Sequence, residues 1–187
     1  MAKIGLNNFR YSVATIGTNG VVTYAGAQTP AKAISFSFEP TKSDATLYAD
    51  DGVAERDSRV TGGTCTMGID RLDTTTASTL LGHTVDAGGE IVSNQDDVAP
   101  YVGVGRVARL MVGGEQKFRA TFLALCKFSE PSEEENTMGE SVEFGTYELE
   151  GSVIMPQSGD WRKEKTFDTQ AAAVSYLEGL MANGASA

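Results

Sequence analysis

The sequence predicts a mainly β chain with antiparallel strands, and three observations predict it. Apolar and polar residues alternate strictly in several segments, the period of a strand with one buried face. Asn-Gly and Gly-Gly pairs stand between such segments, as tight hairpins require. The 21 glycines, with many Thr, Ser and Val, favour strands and turns over helices.

In order along the chain, residues 9–16 read as a strand, Gly17-Thr18-Asn19-Gly20 as a hairpin turn, and residues 21–24 as the return strand. Residues 31–38 alternate, with Ile34, Phe36 and Phe38 facing a core and Ser35 and Ser37 facing away. Glu39-Pro40 is expected to end that strand, because proline cannot donate to a ladder. The pattern then fades, and residues 40–63 are expected to form a long loop. Loops beyond about 12–15 residues are uncommon in compact domains and are usually functional or disordered. Leu47, Tyr48 and Ala49 are too apolar for disorder, so the loop is read as functional.

Alternation returns at residues 64–70, with Cys65, Met67 and Ile69 on one face. Asp73 is placed to cap a short helix over 74–81, with Gly82 as its stop. Residues 86–89 read as a turn and 90–93 as a short strand. The strongest β signal runs over 100–128, two long strands about Gly113-Gly114. In the second, Phe118, Ala120, Phe122, Ala124, Cys126 and Phe128 share one face; Leu123 and Leu125 share the other with Arg119, Thr121 and Lys127. A strand apolar on both faces is central in a sandwich or covered by another subunit. Residues 129–138 read as an acidic turn, 141–155 as a strand bent near Gly145, and 161–167 as a last strand. Asp168 then caps a helix over 169–181, striped by Val174, Leu177, Leu180 and Met181. The whole is expected to be a single domain over 1–187, with a C-terminal helical extension at 168–187.

Composition narrows the function. Hydrophobic residues at 41% and charged residues at 21% exclude disorder of the whole chain. A net charge of −10 argues against a sequence-reading nucleic-acid binder and against an anionic membrane surface as partner. It leaves room for a protein that lies near DNA without holding it. Cys65 and Cys126 sit in apolar alternating runs and read as small buried hydrophobes, with no disulfide framework. Neither a signal peptide nor a membrane span is expected, and synthesis in the cytoplasm follows.

The candidate chemistry is sparse. Asp44, Asp50 and Asp51 could gather on Mg²⁺ or Ca²⁺, yet they lack the alternating acids and turn glycine of an EF-hand loop. Asp96-Asp97 reads as a turn. His83, the single histidine, follows a helix stop and reads as a surface residue. Gly103-Val104-Gly105 lies within a strand pattern and reads as a place of close packing rather than a phosphate loop. No nucleophile stands beside a base and no cofactor fingerprint occurs, so the expectation is a non-enzyme with no catalytic, metal or cofactor residues.

Several segments occur in an order that resembles a known family. They are Ala45-Thr46-Leu47-Tyr48-Ala49-Asp50-Asp51-Gly52, Leu81-Gly82-His83, Asp96-Asp97-Val98-Ala99-Pro100-Tyr101-Val102-Gly103 and Lys127-Phe128-Ser129-Glu130-Pro131-Ser132-Glu133-Glu134. Lys3-Ile4-Gly5-Leu6 and Val142-Glu143-Phe144 with Thr146 fit as well. The chain is similar to the major tail (tail tube) proteins of long, non-contractile-tailed bacteriophages, in the phi13-type group. The specificity lies in the ordered set, which runs over about residues 3–154.

The resemblance implies an antiparallel β-sandwich or half-barrel with one flanking helix. It implies a structural virion protein whose hexameric rings stack into a hollow tube for DNA ejection. The implied partners are other copies of the chain, the tape measure and other tail proteins, and double-stranded DNA that passes without specific binding. The implied location is the virion tail, after synthesis in the host cytoplasm. Within this frame Leu47, Tyr48, Asp50, Asp51 and Arg56 are the expected ring-stacking contacts. The competing expectations are an acidic carbohydrate- or protein-binding β-sandwich and a metal-dependent hydrolase built on the three aspartates.

Overall fold

The computed structural model describes residues 2–30, 32–49, 52–132 and 146–182. The chain is mainly β, an antiparallel eight-stranded sheet with two helices, consistent with a β-sandwich with flanking helices. In chain order the elements are β1 (Ala2–Ile16), β2 (Val22–Tyr24), β3 (Ala33–Ala49), β4 (Gly52–Ile69), α1 (Thr74–Leu81), β5 (Thr84–Val85), β6 (Ile91–Val92), β7 (Val102–Val112), β8 (Glu115–Phe128), β9 (Tyr147–Val153), β10 (Arg162–Phe167) and α2 (Gln170–Met181). The main sheet runs β2-β1-β7-β8-β9-β4-β3, with β10 also paired to β8; β5 and β6 form a separate ribbon.

Local chemistry explains most of these elements. Gly113 and Gly114 both adopt positive φ, at 60° and 87°, and turn β7 into β8 with Val112 opposite Glu115. The Asp73 carboxylate accepts the Thr76 amide hydrogen at 2.8 Å, and Gly82 closes α1 in the left-handed region at φ 84°. At the head of α2 the Thr169 hydroxyl, one residue beyond the expected Asp168, accepts from the Ala172 amide. Asp168 instead takes the Lys117 ammonium at 2.7 Å.

The sheet curls. Phe9 and Tyr11 of β1 share one core with Cys65, Met67 and Ile69 of β4 and with Leu149 of β9, although three strands lie between β1 and β4 in the sheet. Only a sheet bent around that core brings them together. β3 folds over the mouth, where the Phe36 ring lies 5.7 Å from Phe9. On the convex side a second core gathers Val107, Phe118, Ala120, Phe122, Ala124 and Leu125 under Ala173, Leu177 and Met181 of α2.

β8 serves both cores, and a bulge changes its facing. Val102 pairs with Cys126 but Val104 with Leu123, so Ala124 and Leu125 oppose Gly103 alone. Residues up to Ala124 therefore send their even-numbered side chains to the convex core, whereas Cys126 and Phe128 enter the concave one. Unbroken alternation across 118–128 is thus corrected. The displaced backbone groups find partners: Ala124 N–H donates to Trp161 O, Ile154 N–H to Leu125 O, and the Tyr24 hydroxyl to Ala124 O.

Both faces of β8 are covered within the chain, the first of the two alternatives: α2 lies over Phe118, Ala120, Phe122 and Ala124, and Leu123 on the other face enters the concave core. Two further expectations change. The C-terminal helix, expected as an extension striped by Val174, Leu177, Leu180 and Met181, packs into the convex core, and its buried stripe is Ala173, Leu177 and Met181, with Val174 and Leu180 half-buried. Ile34 is 54% exposed, since a register shift between Ala33 and Ser35 turns it outward.

Candidate assembly arm

The expected loop at 40–63 is a β-hairpin. β3 runs through Pro40, which pairs with Gly63, and the ladder continues to Ala49 opposite Gly52. Proline is tolerated there because β3 is an edge strand, with no second neighbour needing its amide hydrogen. β4 pairs with β9 only over Gly63–Ile69. Beyond that point, among the described residues, the two strands pair only with each other. Thr41 to Ala49 spans nine residues, about 30 Å at the usual rise per residue.

Where its side chains are described, the ribbon buries neither face. Residues 39–46 and 55–59 are exposed without interruption, although successive side chains point to opposite sides. Two strands alone are marginal in water. Arg56 meets Asp44 at 3.8 Å and Arg59 meets Asp57 at 2.6 Å, both pairs well exposed. Exposed pairs of this kind contribute about 0–1 kcal/mol each. The arm is mixed in charge, and its described side chains are open on both sides.

Of the expected contact residues, Arg56 is an exposed side chain on the arm. Leu47 and Tyr48 occupy its far end, in register with Glu55 and Val53. Asp50 and Asp51 lie outside the described residues, as do Glu133, Val142, Phe144 and the bend at Gly145. Asp44 pairs with Arg56, and among the described residues no group of three or more His, Cys, Asp or Glu is arranged to hold a metal ion.

His83 is buried, correcting its placement on the surface. Its Nδ1 lies 3.0 Å from an Asp97 carboxylate oxygen and its Nε2 lies 2.8 Å from Glu130. Asp97 also accepts the Asn94 amide hydrogen at 2.9 Å, confirming the turn read at Asp96-Asp97. The His83 side chain, followed by the Asn94 amide, holds the Asp97 carboxyl below its ordinary range. This clasp ties the end of α1 to two connections. Both ring nitrogens are engaged by carboxylates. Nothing in the local sequence signals it, since Asp97 lies fourteen residues away and Glu130 further still.

Gly103 and Gly105 are sites of close packing, as expected. A Cβ on Gly103 would lie 2.6 Å from the Tyr24 ring, and one on Gly105 would lie 3.1 Å from Leu177. Cys65 and Cys126 are free and buried. Among the described residues no helix is long and apolar enough to cross a membrane. No family model matches the chain, and no curated protein matches it either.

Proposed function

We propose that the chain is a structural subunit of a bacteriophage tail tube, one that assembles into stacked hexameric rings enclosing a channel for DNA. The observation that carries this reading is the arm: a ribbon about 30 Å long, exposed on both faces where its side chains are described, with no further strand paired to it among the described residues. A surface of that kind is completed by another molecule. The ordered resemblance in the sequence supports a tube, and so does the curled antiparallel sheet with open edges at β2 and β3. Open edges are a hazard for a monomer and a joint for a ring. A head-to-tail contact either closes into a ring or extends as a filament, and a tube uses both.

Charge supports the conduit. Six copies at −10 carry −60. A negative wall offers phosphates no adhesive sites. The arm's role would be to bridge stacked rings, through Leu47, Tyr48, Asp50, Asp51 and Arg56. The subunit would reside in the virion tail, with other tail proteins as neighbours, and would carry no catalysis.

Electron microscopy of the purified full chain, over a range of concentration and with tail initiator proteins added, tests this. Rings or tubes are expected. Deleting Leu47 to Asp57 leaves Ala45-Thr46 as a two-residue turn between Asp44 and Ser58, which already pair. That variant should fold normally and fail to polymerise. Tubes of normal length from it would remove the arm from the joint, and a full chain that stays monomeric under every condition would remove the tube.

A further inference from the structure

Where β3 closes the mouth of the curled sheet it meets cations. Arg106 of β7 follows the core residue Val104 on the concave face, and its guanidinium carbon stacks 4.3 Å from the centre of the Phe36 ring. Across the sheet Arg106 is in register with Thr121, and Thr121 with Glu164 of β10. Arg162 stands two residues before Glu164 on the same face, beside the Trp161 ring.

The one carboxylate in this row is already engaged. Glu164 accepts from Arg162 and, at 3.0 Å, from the Thr121 hydroxyl. Burial alone would raise its carboxyl, but Arg162 and Thr121 outweigh that and hold it below the ordinary value. Among the described residues Arg106 makes no ion pair, and burial followed by the neighbouring Arg162 depresses its guanidinium. A cavity of about 10 Å³ is lined by Arg106, Thr121 and Arg162 together with Phe36 and Phe38. That is about the space of one water-sized group, such as a single carboxylate oxygen. Arg162, which lines the cavity, is itself a third exposed to solvent.

We propose that Arg106 and Arg162 form a carboxylate-binding site whose occupant is an acidic side chain of a second copy of this chain. A guanidinium fork matches a carboxylate in geometry and charge, and partial burial strengthens the pairing. The identity of the occupant rests on the tube reading. Identical subunits of charge −10 repel, so a head-to-tail contact between them needs a patch of opposite sign. The site supplies one, and it sits at the root of the arm, since Phe36 and Phe38 belong to the strand that runs into it.

Trp161 is the only tryptophan and its ring lies 5.4 Å from Phe38, so it reports on the site. The full chain is titrated with glutarate at constant ionic strength, reading Trp161 fluorescence, and its self-association is followed by sedimentation. A saturable fluorescence change is expected. Arg106→Gln should weaken it by about tenfold or more, and should raise the concentration needed for self-association by a similar factor. Arg162→Gln, at a more exposed position, should shift both in the same direction and guards against a folding defect at Arg106. No saturable change in the wild-type chain overturns the site. A saturable change with unaltered self-association of Arg106→Gln overturns the second copy as occupant and leaves a site for a free carboxylate. A chain that binds glutarate but never self-associates sinks the tube reading and, with it, that occupant; the carboxylate site itself stands.

Discussion

Replacing Leu177 with alanine tests whether α2 belongs to the core. Leu177 is fully buried, one turn from Ala173 and Met181, which are equally buried. Its methyl carbons lie 3.1 and 3.3 Å from where a Cβ of Gly105 would sit. The floor beneath it includes Gly105, Ala120 and Ala124, residues too small and too fixed in the sheet to fill the space left behind. Leucine-to-alanine changes in cores cost about 2–5 kcal/mol, more where the site cannot collapse. A loss of about 3–4 kcal/mol is therefore expected. In a chain of this size that lowers the melting temperature by about 10 °C. Urea unfolding followed by circular dichroism and Trp161 fluorescence should show a lower midpoint at unchanged slope. The same change at Val174, which is only half-buried, should cost about 1 kcal/mol. A loss below about 1 kcal/mol at Leu177 would mean that α2 is not seated on the sheet. The convex face of β8 would then need cover from outside the chain.

Two further outcomes concern single groups. Asp73→Ala removes the cap of α1 and should cost about 1 kcal/mol at neutral pH. The Thr76 side chain and amide hold the Asp73 carboxyl below its ordinary value of 3.8, so its contribution is present above that value and lost as pH falls through the lower folded one. Wild type and variant should converge in acid, as read by thermal melts across pH. Burial, and secondarily Cys126, pushes the Tyr24 hydroxyl up to about 12, so the fold favours the neutral phenol. Its contribution is complete below pH 10 and lost as pH rises from 10 to about 12. Tyr24→Phe should abolish a phenolate absorbance step near 12. Losing the bond to Ala124 O should also lower stability by about 1 kcal/mol.

Much of the fold was legible because its local chemistry is self-sufficient. Asp73 and Gly82 bound α1 through contacts within the helix, and Gly113-Gly114 turns β7 into β8 through backbone freedom alone. The arm was not legible, for a physical reason. Alternation records one buried face, and the ribbon has none, so Pro40, Gly62 and Gly63 among polar residues read as a loop. At the candidate arm the sequence marked the segment as unusual without its form, a hairpin rather than a loop. The bulge at Ala124 and Leu125 was hidden because every residue from Phe118 to Cys126 except Arg119 is buried, which makes either facing acceptable to composition. The His83 clasp and the row from Arg106 to Glu164 depend on which strands become neighbours, a fact written in no short window.

The two cores also set an order of events during synthesis. The fully buried residues of the concave core run up to Val153, but the convex one is closed only by α2, which ends at Met181, 28 residues later. At ribosomal speeds that gap lasts a few seconds. For that interval Phe118, Phe122 and Leu125 face solvent on a strand already fixed from its other side. Transiently exposed apolar surface of this kind favours misassociation. α2 therefore doubles as the element that retires an adhesive surface before newly made copies meet.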